Sequence, residues 1–342
     1  KGELVLVGKE PSDGIVRFTR VGATQNENDP SIGYYVTPKQ TSVITPAFLG
    51  TGSWTATIIP TNGTVTATSR FWNEQNKDAH PDTNTQLFGY VQAFKAADAM
   101  LPGDTATFTL PDAGFRWNLG VLSTTGARFL VEGYDKTGQR LCSSEHTTPA
   151  GGATQLVEYL PTTCSPSYPM SIYARGTARV TVLEGDFFTQ ASSIQNNADL
   201  PGVQDAGIEV PKTERLVTGT YTINPATVEA GDTIIYRVNA KARDGATILG
   251  GSAQGAALQG HIDGNGTDTL DWTYAATPTV PGTYSNNSAT LTVRTNIGDI
   301  NRTLPGENLE VKAEQDGYVA TFANAKTWIL NNLDRAALAA SH

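Results

Sequence analysis

Apolar and small polar residues alternate in short runs along most of this chain, and Gly, Pro, Asn or Asp punctuates nearly every run. Glu3-Leu4-Val5-Leu6-Val7-Gly8 is followed by Gly14-Ile15-Val16-Arg17-Phe18-Thr19, and later by Ser53-Trp54-Thr55-Ala56-Thr57-Ile58-Ile59 and Thr64-Val65-Thr66-Ala67-Thr68. Period-two runs of roughly five to eight residues, with turns about every 8–12 positions, predict the strands of β-sandwiches and not a βαβ fold. Pro60-Thr61-Asn62-Gly63 between two such runs predicts a hairpin, and Asp135-Lys136-Thr137-Gly138 predicts another. The rhythm fails over 196–214, where Asn196-Asn197-Ala198-Asp199-Leu200-Pro201-Gly202 is polar and carries Pro and Gly. Such a stretch predicts a boundary between two domains, 1–200 and 201–342. One helix is predicted, at the C-terminus: Ile329, Leu333, Ala336, Ala337 and Ala340 fall at helical spacing behind Asn324, a capping residue. The predicted fold is all-β, with two sandwich domains and a short terminal helix.

Length supports the division, since 342 residues exceed the usual single-domain range. Charged residues are only 17% of the chain and the net charge is −9, with no basic run. That excludes nucleic acid as the expected partner, because phosphate binding rests on clustered Lys and Arg. No apolar stretch approaches the roughly 20 residues of a membrane-spanning helix. Lys1 opens the chain without Met or a signal peptide, as in a processed secreted protein or a trimmed chain. Cys142 and Cys164 bracket a loop rich in Thr, Gly and Pro. They read as a disulfide of an oxidising compartment, the alternative being two buried thiols. Closing about 20 residues contributes roughly 3 kcal/mol.

The chemistry of catalysis is sparse. Gly250-Gly251-Ser252-Ala253-Gln254-Gly255 misses a GxSxG elbow by one residue. His80, His146, His261 and His342 are the only imidazoles. His146, after Ser143, Ser144 and Glu145, reads as a solvated loop residue. An ion site is offered by Asp263, Asn265, Thr267, Asp268 and Asp271, whose oxygen-bearing side chains and intervening glycines suit Ca²⁺. The same stretch also reads as a polar turn on Asn265-Gly266. Calcium is therefore the one cofactor in view. Trp54, Trp72, Trp117, Tyr90 and Tyr134 offer either a sugar-stacking platform or core packing. Leu4, Val5, Leu6 and Val7 are apolar toward both faces and lie near a terminus. They predict a strand covered on both sides, which pairs within its own domain or completes a neighbour's sheet in donor-strand assembly.

Two stretches resemble a known group. Tyr221-Thr222-Ile223-Asn224-Pro225-Ala226-Thr227-Val228-Glu229-Ala230-Gly231-Asp232-Thr233-Ile234-Ile235-Tyr236 resembles the opening strands of bacterial immunoglobulin-like surface domains. Pro281-Gly282-Thr283-Tyr284 before Ala289-Thr290-Leu291-Thr292-Val293-Arg294 is similar to their late strands. The segment from Phe115-Arg116-Trp117 to Thr137-Gly138 resembles secreted bacterial β-sandwich modules. These resemblances imply immunoglobulin-like or jelly-roll-like sandwiches in an exported protein for display, adhesion or assembly, and they carry no catalytic residue. The expectation is a non-enzymatic extracellular or cell-surface protein that is structural or adhesive, self-associating into a filament or layer or binding surface glycan. A carbohydrate-binding accessory module and a viral spike or capsid protein are the alternatives.

Overall fold

The structure is a computed structural model that describes residues 2–45, 47–50, 52–73, 86–157, 159–160, 164, 168–196, 204–254, 256–258, 261–262, 268–285 and 287–313. The predicted C-terminal helix and the Gln315-Asp316-Gly317 turn before it lie outside those residues. Antiparallel sheets dominate, and the fold is all-β. The chain divides into two compact units, residues 1–215 and 216–342, and the first unit holds two sandwiches with separate cores.

The first sandwich contains β1 (Gly2–Gly8), β2 (Ser12–Arg20), β3 (Ser31–Val36), β4 (Thr41–Ile44), β5 (Trp54–Asn62), β6 (Val65–Asn73) and β7 (Gln86–Gln92). Its sheets run β4-β1-β6-β7 and β3-β2-β5. Alternation places Leu4 and Leu6 of β1 in a core with Val16, Phe18, Tyr34 and Val36. Val5 and Val7 point the other way, and Val7 is 40% exposed. β1 is hydrogen-bonded along both edges, Leu6 lying opposite Ser42 of β4 and Ala67 of β6. Leu4, Val5, Leu6 and Val7 thus pair within their own domain, the first of the two readings of this strand.

Asn62-Gly63 also differs from its reading. β5 pairs with β2, whereas β6 pairs with β1 and β7, so the turn carries the chain from one sheet to the other and closes no hairpin. Gly63 adopts φ +68°, and a Cβ there would lie 2.3 Å from the Pro11 carbonyl oxygen. The glycine serves a close crossing of backbones, which local sequence does not distinguish from a hairpin turn.

The second sandwich contains β8 (Thr105–Thr109), β9 (Arg116–Ser123), β10 (Ala127–Tyr134), β11 (Arg140–Thr148), β12 (Gly152–Leu156), the single-turn helix α1 (Met170–Tyr173), β13 (Thr177–Glu184), β14 (Phe188–Asn196), β15 (Gln204–Glu209) and β16 (Lys212–Glu214). Its sheets run β11-β10-β13-β8-β16 and β12-β9-β14-β15. Phe108, Trp117, Phe129 and Phe187 fill the core. The Asp135–Gly138 turn joins β10 to β11 as predicted.

β15 and β16 occupy the stretch read as a linker. β16 adds to the edge of β8, and Arg215 then reaches back, its guanidinium donating to the buried Asp104 carboxylate at 3.0 Å and to the Asp98 and Ala99 carbonyls. The division into compact units falls at Arg215/Leu216. Lys212, Thr213 and Glu214 are edge-strand residues paired with β8 more than a hundred positions away, whereas β15 pairs with the neighbouring β14.

The C-terminal unit contains β17 (Val217–Asn224), β18 (Thr227–Glu229), β19 (Ile234–Ala242), β20 (Thr247–Ala253), β21 (Ala256–Leu258), β22 (His261–Ile262), β23 (Asp268–Ala276), β24 (Gly282–Tyr284), β25 (Ser288–Thr295), β26 (Gly298–Pro305) and β27 (Leu309–Lys312). β19 alternates buried and exposed at every position, as its sequence demands. Two sheets, β17-β19-β23-β22 and β21-β20-β25-β26, share one core, and a small β18-β27-β24 sheet joins them. Lettered in chain order, the two larger sheets read A-B-E-D and C′-C-F-G, the immunoglobulin arrangement. The Tyr284 hydroxyl donates to the Val280 carbonyl four residues upstream, as a tyrosine corner does.

Candidate binding cleft at one end of the second sandwich

Register brings three chain ends together. Thr177 at the start of β13 lies opposite both Thr109, the end of β8, and Tyr134, the end of β10. The segments that leave these ends enclose an open cleft of about 650 Å³, lined by Asp112 and Ala113 after β8, Lys136 of the β10–β11 turn, and Ser171, Ile172 and Arg175 around α1.

Each wall is held from below. Asp135 accepts from the Thr137 N–H (2.8 Å), the Thr137 hydroxyl (2.7 Å) and the Gln139 N–H (2.9 Å), which lower its pKa and fix the turn bearing Lys136. Tyr173, the last residue of α1, is fully buried, while its neighbour Ile172 is 40% exposed on the cleft. Gly176 packs so tightly that a Cβ would lie 2.1 Å from the Tyr134 carbonyl oxygen. Between them Arg175 adopts φ +60°, the left-handed region that L side chains rarely enter.

The Arg175 guanidinium donates to Asp112 from Nε at 2.6 Å and from Nη2 at 3.4 Å. This hydrogen bond, with the adjacent positive charge, holds the Asp112 carboxyl below its usual range. Both side chains are solvent-facing, and a surface ion pair returns little stability by itself. The left-handed backbone at Arg175 thus carries a charged donor–acceptor pair in the lining of an open cleft that Ala113, Ile172 and Ala174 also line.

The residues singled out from sequence lie elsewhere. Cys142 and Cys164 are bonded, with Cα atoms 5.6 Å apart. The loop they close drives Tyr159 and Leu160 into the core, where both are fully buried. His146 is a strand residue of β11 and not the solvated loop residue expected. Its Nε2 shares a 2.7 Å hydrogen bond with the Tyr159 hydroxyl. Burial lowers the His146 pKa and pushes the Tyr159 phenol up to about 12, so the pair fastens the loop as neutral groups.

Asp263, Asn265 and Thr267 lie outside the described residues, as does the side chain of Asp268. Asp271 is on β23, and its carboxylate accepts from Arg237 at 3.2 and 3.0 Å. It stands in a strand-to-strand ion pair with Arg237. Among the described residues no three metal-binding side chains cluster, and no helix is long and apolar enough to cross a membrane.

The expected aromatic platform is divided. Trp117 is buried in the second core, Trp54 packs against the first, and Tyr134 is half-buried. The side chains of Trp72 and Tyr90 lie outside the description. A different file of rings was missed: Tyr221, Tyr236, Tyr274 and Trp272 follow one another at 6.0, 6.4 and 5.7 Å with near-parallel planes. It continues the core of the C-terminal unit, with Trp272 half-buried and Tyr274 reaching solvent, at 42%. The alternation in Asp271-Trp272-Thr273-Tyr274 was the signal for it. Asp112, Lys136 and Arg175 had no such signal, being far apart in sequence.

No protein-family model matches the chain, and no curated protein matches it. One solved structure, from work on host cell surface retention of a 1.5-MDa bacterial ice-binding adhesin, aligns over 89% of this chain and 88% of its own, at 13% identity and a TM-score of 0.18. A TM-score of that size carries no argument about fold or activity.

Proposed function

We propose that this chain belongs to an exported surface protein that works by non-covalent adhesion, with its sandwiches as scaffold and the cleft around Arg175 as a contact site. The observation that carries this reading is the cleft itself, in which anchored turns hold a strained, solvent-facing Arg175–Asp112 pair open to a partner. Loops on a rigid sandwich are where binding is usually lodged. The bridge between Cys142 and Cys164 supports an oxidising, extracellular location. No covalent step is part of this function.

Beads coated with the purified chain test it. Retention on cells or on polysaccharide-coated surfaces, above that of beads coated with an inert protein, is the expected result. Equal retention of both kinds of bead on every surface overturns the reading.

A further inference from the structure

Within that adhesive reading, we propose that the cleft formed by Asp112, Lys136, Ser171, Ile172 and Arg175 binds a neutral saccharide through adjacent ring hydroxyls.

The charge balance selects against ions. Arg175 is matched by Asp112, and Lys136 follows Asp135, whose carboxylate is occupied by its own turn. The charges that line the cleft, Asp112 and Asp135 against Lys136 and Arg175, sum to zero, so it has no net charge to draw an anion or a metal cation. It offers polarity without net charge, which suits a ligand of the same kind. Asp112 is held ionised and keeps free lone pairs beyond its bonds to Arg175, while the guanidinium has five N–H groups and spends two of them on Asp112. An acceptor and a donor thus stand side by side. Two neighbouring hydroxyls of a pyranose meet that arrangement directly, one donating to the carboxylate and the other accepting from the guanidinium.

The rest of the lining fits the same class. Ile172, Ala113 and Ala174 supply an apolar surface for the C–H face of a sugar ring, and Ser171 and Lys136 supply further donors at the margin. The cleft is open and shallow, as suits the end or a branch of a longer glycan. Its walls are already fixed by the Asp135 turn, buried Tyr173 and Gly176, so ordering them costs the bound state little.

The test uses the full chain on an array of neutral and acidic oligosaccharides, followed by titration of the strongest neutral binder. Arg175→Gly is the informative variant. It removes the guanidinium and also relieves the left-handed backbone, so it should fold at least as well as the parent, with an equal or higher Tm. Expected is a loss of affinity for the neutral glycan of about tenfold or more in Arg175→Gly and in Asp112→Ala. Tyr274→Ala, in the other unit, should bind as the parent does. Unchanged glycan affinity in both cleft variants overturns the proposal, and so does binding confined to acidic glycans. If no glycan binds while coated beads are still retained on cells, the saccharide is wrong and the adhesive reading stands. If neither occurs, both fall.

Discussion

Asp186 stands in the β13–β14 turn and gathers the β9–β10 turn around itself. It accepts from the Ser123 hydroxyl (2.9 Å), the Thr124 hydroxyl and N–H (2.6 and 3.0 Å) and the Thr125 N–H (2.7 Å). Burial alone would raise its pKa, but the Thr124 and Thr125 hydroxyls and N–H groups outweigh burial and hold the carboxyl well below the usual range. Asp186→Ala strands these donors, and urea unfolding should report a loss of about 2 kcal/mol. Because the folded pKa is depressed, this stabilisation is complete above about pH 4, the unfolded value, and fades as pH falls further. The parent's stability should therefore drop steeply in acid, and that of the alanine variant less so. His146 acts in a higher window. Its imidazole is held below its ordinary value by burial, so the unfolded chain takes up a proton first as pH falls below about 6.5. Stability should decline there, and His146→Gln should flatten that part of the curve.

At the scale of elements, the plug made by the disulfide loop shows how tightly one end of the second sandwich is filled. A Cβ on Gly133 would lie 2.9 Å from Leu160 Cδ2 and Tyr173 Cε1 and 3.0 Å from Cys142 Sγ. Gly133→Ala should cost about 1–3 kcal/mol by overpacking, and Leu160→Ala about 2–5 kcal/mol by leaving a cavity. Thermal melts of the two variants read this directly, and a parent-like Tm in Gly133→Ala would show a loose plug. The strands themselves were legible in the sequence, because burial on one face writes itself into a period of two; β19 and β1 are plain cases. What Asn62-Gly63 connects was not legible. Whether a turn closes a hairpin or crosses between sheets depends on which strand lies alongside, here β2 and not β6, and that is decided by partners far along the chain. The cleft was hidden for the same reason. Asp112, Lys136 and Arg175 meet only because β8, β10 and β13 end in register.

For the whole molecule, the division after Arg215 means that the two units rest on different cores. Calorimetry of the intact chain should resolve more than one transition, and Leu291→Ala and Phe129→Ala should each lower a different one. Coincident shifts in both variants would show a single cooperative body. Arg215→Met tests the seam. It takes the cationic donor from Asp104, which is fully buried and keeps the Leu101 N–H at 2.9 Å, and should destabilise the first unit by about 3–5 kcal/mol while the C-terminal transition stays in place. Arg215 closes the first unit with a guanidinium that reaches back to residues 98–104. If the molecule serves as a tether, its bridge has a mechanical meaning as well. Cys142 and Cys164 are 22 positions apart, and with the bond closed that length cannot be drawn out when the ends are pulled. Stretched to full length, the oxidised chain should be about 70 Å shorter than the reduced one. A force–extension trace before and after dithiothreitol would show the added slack, and a surface anchor that met reducing conditions would lengthen before it let go.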